Sequence, residues 1–204
     1  MIISAIDNRN DLFAIKNIIP NNLIEALSNE DITDYTLERQ PMQEDFCRYR
    51  VCYDQDTVIG KIVDSILWIP NFWSPNSYSL LEKINKIIGS NFSHIDASVW
   101  YDYEGFKMEK HIDNPSIKSA MQIYLDQGNI NLGTTFYFVD DKDIEIKDDI
   151  QQWHLKNYNL NKRHNFKYIP NTGYLMLNNK YQAHGPSGFV DNNERRLSLY
   201  CYLK

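Results

Sequence analysis

The stretch His111-Ile112-Asp113-Asn114-Pro115 decides how the rest of the chain is read. On an extended backbone successive side chains point to opposite faces, so His111 and Asp113 share one face and can grip a single ion. Asn114-Pro115 stiffens the exit, because proline fixes its own φ and restricts the residue before it to extended conformations. A third ligand is at hand in Gln182-Ala183-His184-Gly185-Pro186, which follows the apolar run Tyr174-Leu175-Met176-Leu177 and places His184 where a strand end would deliver it. Further on, Arg196-Leu197-Ser198-Leu199-Tyr200 alternates in strand fashion, with Arg196, Ser198 and Tyr200 on one face. A buried arginine flanked by hydroxyls suits a dicarboxylate, since its planar fork grips a carboxylate through two hydrogen bonds.

Two histidines and one carboxylate on one side of an ion, with the other side open, form the facial triad of non-haem Fe(II) centres. The order of motifs resembles the 2-oxoglutarate/Fe(II)-dependent dioxygenases, and most closely their prolyl-4-hydroxylase-like branch. That pattern is H-x-D, a Tyr-Leu pair on the next strand, a Gly-rich turn into another strand, a distal His, and an Arg near the C-terminus. Here it reads His111-Ile112-Asp113, Ile123-Tyr124-Leu125, Leu132-Gly133-Thr134-Thr135-Phe136-Tyr137, His184-Gly185 and Arg196-Leu197-Ser198. The resemblance runs from about Tyr101 to the C-terminus, and five weak pieces in the right order carry more than any one of them.

A second His-x-Asp, His94-Ile95-Asp96, lacks those companions. Taking it as the metal site would leave the aromatic, glycine-containing turn Tyr101-Asp102-Tyr103-Glu104-Gly105-Phe106 without a role, so His94 and Asp96 are read as surface or second-strand residues.

At 204 residues, with 43% hydrophobic and 24% charged residues, the chain has the make-up of one soluble globular domain. Aromatic content is 13%, with 14 tyrosines, which favours a β-rich fold. The net charge of -6 argues against a general nucleic-acid binder, whose affinity comes largely from phosphate neutralisation. The N-terminus shows no basic region followed by a long apolar run, and no stretch approaches the roughly 20 apolar residues that span a bilayer. Cys47, Cys52 and Cys201 have neither metal-binding spacing nor the density of a disulfide framework, and on one strand Cys47 and Cys52 would face opposite sides. A cytoplasmic protein is expected.

Leu12 to Ile19 reads as a short strand, and Pro20-Asn21-Asn22 before Leu23-Ile24-Glu25-Ala26-Leu27 as a helix start with an asparagine cap. Thr36-Leu37-Glu38-Arg39 and Arg48-Tyr49-Arg50-Val51 are candidate strands that could face a cleft, with edge strands carrying solvated arginines the preferred reading. Val58 to Leu67 is helical in character and ends near Pro70, with Trp68 and Trp73 packing beside that turn. Ser79 to Ile88 carries an amphipathic stripe closed by Gly89, a helix laid on the back of the sheet. Strands are expected at 97–101, 119–125, 134–139, 174–177 and 196–203. Between them, Asp140 to Tyr168 is highly charged and is read as a lid or a surface excursion, with His154 and His164 solvated.

The expected fold is therefore mainly β with N-terminal helices: a double-stranded β-helix (jelly-roll) core at 93–204 with an insertion at 140–168, supported by 1–92, in one domain spanning 1–204. The resemblance implies a 2-oxoglutarate- and Fe(II)-dependent dioxygenase acting on a protein, prolyl residues included, or on a small molecule. It would use Fe(II), 2-oxoglutarate and O2, with ascorbate as reductant. His111, Asp113 and His184 would bind the metal, and Arg196, Ser198 and Tyr124 the cosubstrate; no catalytic side chain is expected beyond the metal ligands. For Tyr124 a core position is an equal alternative. Arg196 in a surface ion pair with Asp191 or Glu194 is the competing reading, a role that Arg195 fills better. A jelly-roll metalloprotein or binding protein that does not use 2-oxoglutarate is the alternative function.

Overall fold

The computed structural model describes residues 1–30, 48–52, 57–67, 79–106, 108–147 and 152–204. The candidate strand 36–39, together with Cys47, Trp68, Pro70 and Trp73, lies outside them. In chain order the major sheet takes β1 (Ile2–Ala5), β2 (Leu12–Lys16), β3 (Arg48–Cys52), β4 (Ile95–Asp102), β5 (Ser119–Tyr124), β10 (Thr172–Leu177) and β12 (Arg196–Leu203). They lie in the spatial order β1-β2-β10-β5-β12-β4-β3, with every neighbouring pair antiparallel. A smaller antiparallel sheet is built from β11 (Gln182–Pro186), β6 (Thr134–Phe138) and β9 (Lys162–Phe166). The remaining strands, β7 (Ile144–Lys147) and β8 (Gln152–Leu155), form a hairpin. Two antiparallel sheets facing one another, with helices behind the larger, make the double-stranded β-helix.

The two faces of the major sheet explain its sequence. On β12, Leu197, Leu199, Cys201 and Leu203 enter an aliphatic core, while Arg196, Ser198 and Tyr200 are buried on the other side. That aliphatic core joins Val99, Ile123 and Leu175 of the sheet to the helices α1 (Asn21–Asn29), α2 (Val58–Leu67) and α3 (Leu80–Ile88), through Leu27, Ile59, Val63, Ile66, Leu80 and Ile84. Between the sheets lies a second core dominated by aromatics, among them Trp100, Tyr124, Phe136, Phe166, Tyr174 and Tyr200. Both faces being covered, even the polar alternation of β5, Ser119 to Tyr124, is buried along its whole length.

Helix α3 begins in a capping box, Ser79 Oγ accepting from the Glu82 amide at 3.3 Å and the Glu82 carboxylate from the Ser79 amide at 2.8 Å. It ends at Gly89, whose φ of 70° is the left-handed conformation glycine adopts without steric cost. At α1 the expected asparagine cap is displaced: Pro20 holds the cap position without a side-chain bond, its carbonyl accepting from the amides of Leu23 and Ile24, and Asn21 is already helical. The turn into β6 needs Gly133 for a different reason, since a Cβ there would fall 1.7 Å from the Phe166 carbonyl oxygen.

Candidate metal centre and its cavity

His111 does not lie in a regular strand. It joins the edge of the small sheet by a single antiparallel bridge to His184, each amide donating to the other's carbonyl at 2.9 and 2.8 Å. The bridge sets the two imidazoles side by side, ring centroids 4.5 Å apart, and the chain then turns Asp113 back toward both. His111 Nε2 is 3.5 Å and His184 Nε2 3.9 Å from Asp113 Oδ1, and one ligand atom from each of the three residues lies within 4.8 Å of the others. Neighbouring ligands held about 2.1 Å from an ion lie about 3 Å apart, so small adjustments close this set on a metal. Among the described residues this is the one group of three such side chains that converges.

The donor set fits a divalent cation. Asp113 Oδ2 is buried without a hydrogen-bond partner among the described residues, a cost that a bound cation removes. The His111 Nδ1 lies 3.0 Å from the Glu109 carbonyl, which fixes the proton on that nitrogen and leaves Nε2 as the ligand atom. Burial drives the His184 pKa down to about 4, so its ring is a neutral ligand at neutral pH. Burial also opposes the Asp113 carboxylate, but the neighbouring His184 and His111 outweigh it and hold that carboxyl below its usual range. Ile112 and Ala183, which alternate with the ligands, face away into a separate cluster with Val139, Ile144, Trp153 and Leu155.

The three ligands open on a cavity of about 150 Å³ that Arg196, Arg48, Gln122 and Thr134 also line. Arg196 is 3% exposed and meets Asp102 through Nε at 2.8 Å and Nη2 at 2.7 Å, while Nη1 donates to the carbonyls of Leu132 and Gly133 at 3.2 and 3.3 Å. The ion pair with Asp191 or Glu194 is thus not formed. Arg48 reaches the same carboxylate, with Nη2 at 3.1 Å from Oδ2 and Nε bonded to Oδ1, and its guanidinium lies 3.9 Å over the Trp100 ring. Burial raises the Asp102 pKa, yet the two arginines more than compensate and keep it ionised. The preferred sequence reading of solvated arginines on an edge strand fails at Arg48: β3 is an edge strand, but its first residue turns inward to a buried carboxylate.

Ser198 and Tyr124 lie one layer behind the cavity wall. Tyr124 donates to Thr134 Oγ1 at 2.9 Å, Thr134 donates to Gln122 Oε1 at 3.3 Å, and Gln122 Nε2 donates to Ser198 Oγ at 2.9 Å. This one-way chain locks the amide of Gln122, and burial pushes the Tyr124 hydroxyl up to about 12. Arg195 points outward, as alternation requires, but pairs with Asp126 at 2.8 Å. His94 and Asp96 form an exposed pair at 2.6 Å, with Lys204 on the same carboxylate, far from any third ligand among the described residues.

No protein-family model matches the sequence, and no curated protein does. In structure the chain is similar to a prolyl-4-hydroxylase from Pseudomonas putida, with a TM-score of 0.61 and 14% identity over 95% of this chain and 92% of that one. It is similar too to SnoK, a non-haem α-ketoglutarate-dependent carbocyclase of nogalamycin biosynthesis, with a TM-score of 0.62 and 10% identity over 96% and 81% of the two chains. The epimerase SnoN, solved with Fe3+, α-ketoglutarate and nogalamycin RO, gives a TM-score of 0.59 at 10% identity over 96% and 79%. At such identities the likeness establishes the fold, the double-stranded β-helix on which those enzymes are built.

Proposed function

We propose that this protein is a 2-oxoglutarate- and Fe(II)-dependent oxygenase. The observation that carries the reading is the convergence of His111, Asp113 and His184 at a cavity that a buried arginine, Arg196, also lines, in the fold such enzymes use. His111, Asp113 and His184 would hold the iron, leaving its open side toward the cavity. Bound there, iron would supply the oxidising chemistry, which consumes O2 and 2-oxoglutarate, yields succinate and CO2, and draws on ascorbate as reductant. The protein's share is placement. Arg196, held by Asp102 and two backbone carbonyls, would offer its one uncommitted N–H, on Nη2, to the distal carboxylate of 2-oxoglutarate. Ser198 and Tyr124 act through Gln122 and Thr134, fixing the polar wall on which the cosubstrate rests.

The substrate is a protein or a small molecule. Solved proteins of this fold include a Trichoplax adhaerens prolyl hydroxylase in complex with a hypoxia inducible factor peptide, as well as SnoN with nogalamycin RO. A peptidyl proline is one candidate for hydroxylation here. No helix of the described residues is long and apolar enough to cross a membrane, and the proposed setting is the cytoplasm. A metalloprotein of this fold that makes no use of 2-oxoglutarate is the second reading, and one observation favours it: Asp102 already engages Arg196.

The deciding experiment incubates the purified protein with Fe(II), ascorbate and 2-oxoglutarate in air and measures succinate. Slow formation that needs all three and disappears in Asp113→Ala is the expected result. Tight metal binding without succinate formation or 2-oxoglutarate binding would establish the second reading instead.

A further inference from the structure

Buried tyrosine hydroxyls almost always find a hydrogen-bond partner. Tyr124 gives its proton to Thr134, and Tyr168 bonds to Asp126. Two others do not conform. Tyr174 is 1% exposed and Tyr200 4%, both line the cavity, and neither hydroxyl has a hydrogen bond among the described residues.

Their placement is not accidental packing at separate points. In the strand register Tyr174 on β10 and Tyr200 on β12 stand directly opposite the same residue, Gln122 on β5, so the three form one row across the middle of the inner face. Gln122 is committed to Thr134 and Ser198, which leaves the two phenols as the row's unspent donors. Their rings are fixed: Tyr174 lies edge-on to Phe136 at 4.8 Å and 6.4 Å from the His184 ring, and Tyr200 stacks on Trp100 at 3.9 Å with 6° between planes. Arg196 stands four residues before Tyr200 on the same strand, roughly 13 Å away at about 3.3 Å per residue. The arginine and the tyrosine row therefore mark two ends of the site, the tyrosines on the side of the metal ligands. Burial raises both hydroxyls well above 10, so they stay protonated donors at neutral pH.

We propose that Tyr174 and Tyr200 are ligand-binding residues that donate hydrogen bonds to the 2-oxo-acid end of the cosubstrate while Arg196 takes the distal carboxylate. The inference rests on the oxygenase reading and deepens it: the site recognises an acceptor-rich dicarboxylate from both ends, and the phenol pair selects for oxygen atoms beside the metal. Among the described residues the buried polar atoms without a partner do not include these two hydroxyls, so they open on the cavity, where a ligand with oxygens at that position would pair them.

The test uses protein loaded with zinc, a metal that does not turn over, and measures 2-oxoglutarate binding by calorimetry in the parent, Tyr174→Phe, Tyr200→Phe and the double variant. Each single change should weaken binding about tenfold and the double change about a hundredfold, the loss expected for one and two hydrogen bonds to an anion. Zinc affinity should stay at the parental value. The melting temperature of the ligand-free variants should be unchanged, because phenylalanine keeps the ring and the lost hydroxyl faces the cavity. Variants that bind 2-oxoglutarate like the parent overturn the inference alone, as does a lowered melting temperature without loss of binding, which makes the hydroxyls structural. A zinc-loaded parent that binds no 2-oxoglutarate overturns the inference and the oxygenase reading together.

Discussion

Asp102 is fully buried and accepts from both Arg48 and Arg196, so it sets where the guanidinium at the far end of the cavity can point. Breaking a buried ion pair from one side leaves the other charge stranded, typically at about 3–5 kcal/mol. Asp102→Asn should accordingly lower the melting temperature by on the order of 10 °C, read by thermal denaturation. Arg196→Ala should in addition raise the 2-oxoglutarate requirement by one to three orders of magnitude, roughly, with metal affinity unchanged. Arg195→Ala should leave 2-oxoglutarate binding at the parental value while costing stability, because Asp126, 6% exposed, loses its cation; an Arg195 variant with weakened binding would mean the two arginines have been assigned the wrong way round. The convergence of His111, Asp113 and His184 was legible because two of them are neighbours in sequence and their spacing sets them on one face. Arg48 was not, since its meaning depends on a carboxylate 54 residues away and nothing local separates it from a solvated edge arginine. Tyr200 was visible on the same face as Arg196, but whether its hydroxyl is spent or free is decided only by which strands flank it.

At the level of elements, the segment 140–168 interrupts the apolar pattern yet is not one structure. Its last strand, β9, is a member of the small sheet and pairs with β6. The sequence Lys162-Arg163-His164-Asn165-Phe166 hides this, having one large apolar residue. It is held instead by the ladder and by Arg163, whose enclosed side chain bonds Asp7 at 2.8 Å and Gln182 at 2.9 Å, with Asp11 as a third partner. The β7–β8 hairpin, read from sequence as lid or excursion, packs Ile144, Trp153 and Leu155 against Ile112 and Ala183, the residues that alternate with the proposed metal ligands. It backs the ligand-bearing segments rather than covering the cavity they face. Trp153 is half-buried, so Trp153→Ala should cost about 2 kcal/mol, below the 3–5 of a fully buried tryptophan. Metal affinity should fall with it, and turnover of substrate and uncoupled loss of 2-oxoglutarate should decline in step. Metal titration together with both activities checks this; substrate turnover declining alone would restore the hairpin to the role of a lid.

For the whole molecule, the proposed metal site sits where the small sheet closes over the large one. His111 reaches His184 only through the bridge at the sheet edge, and Asp113 reaches both only because the chain turns back toward the major sheet. In the unfolded chain His184 is separated from the other two ligands by a long loop, so an ion binds the folded state far better than the unfolded one. Ligand binding of that kind stabilises by about 2.7 kcal/mol at a hundred times Kd. For a chain of 204 residues, where 1 kcal/mol moves the melting point by about 2–4 °C, addition of Fe(II) without oxygen, or of zinc, should raise it by roughly 5–11 °C. Chelation should reverse the gain. His111→Ala, Asp113→Ala and His184→Ala should each abolish most of it. His94→Ala and Asp96→Ala, on an exposed pair, should keep the full shift. A thermal shift lost in the His94 variant and retained in the His111 variant would move the metal to the other His-x-Asp and leave the cavity beside His184 without its ion.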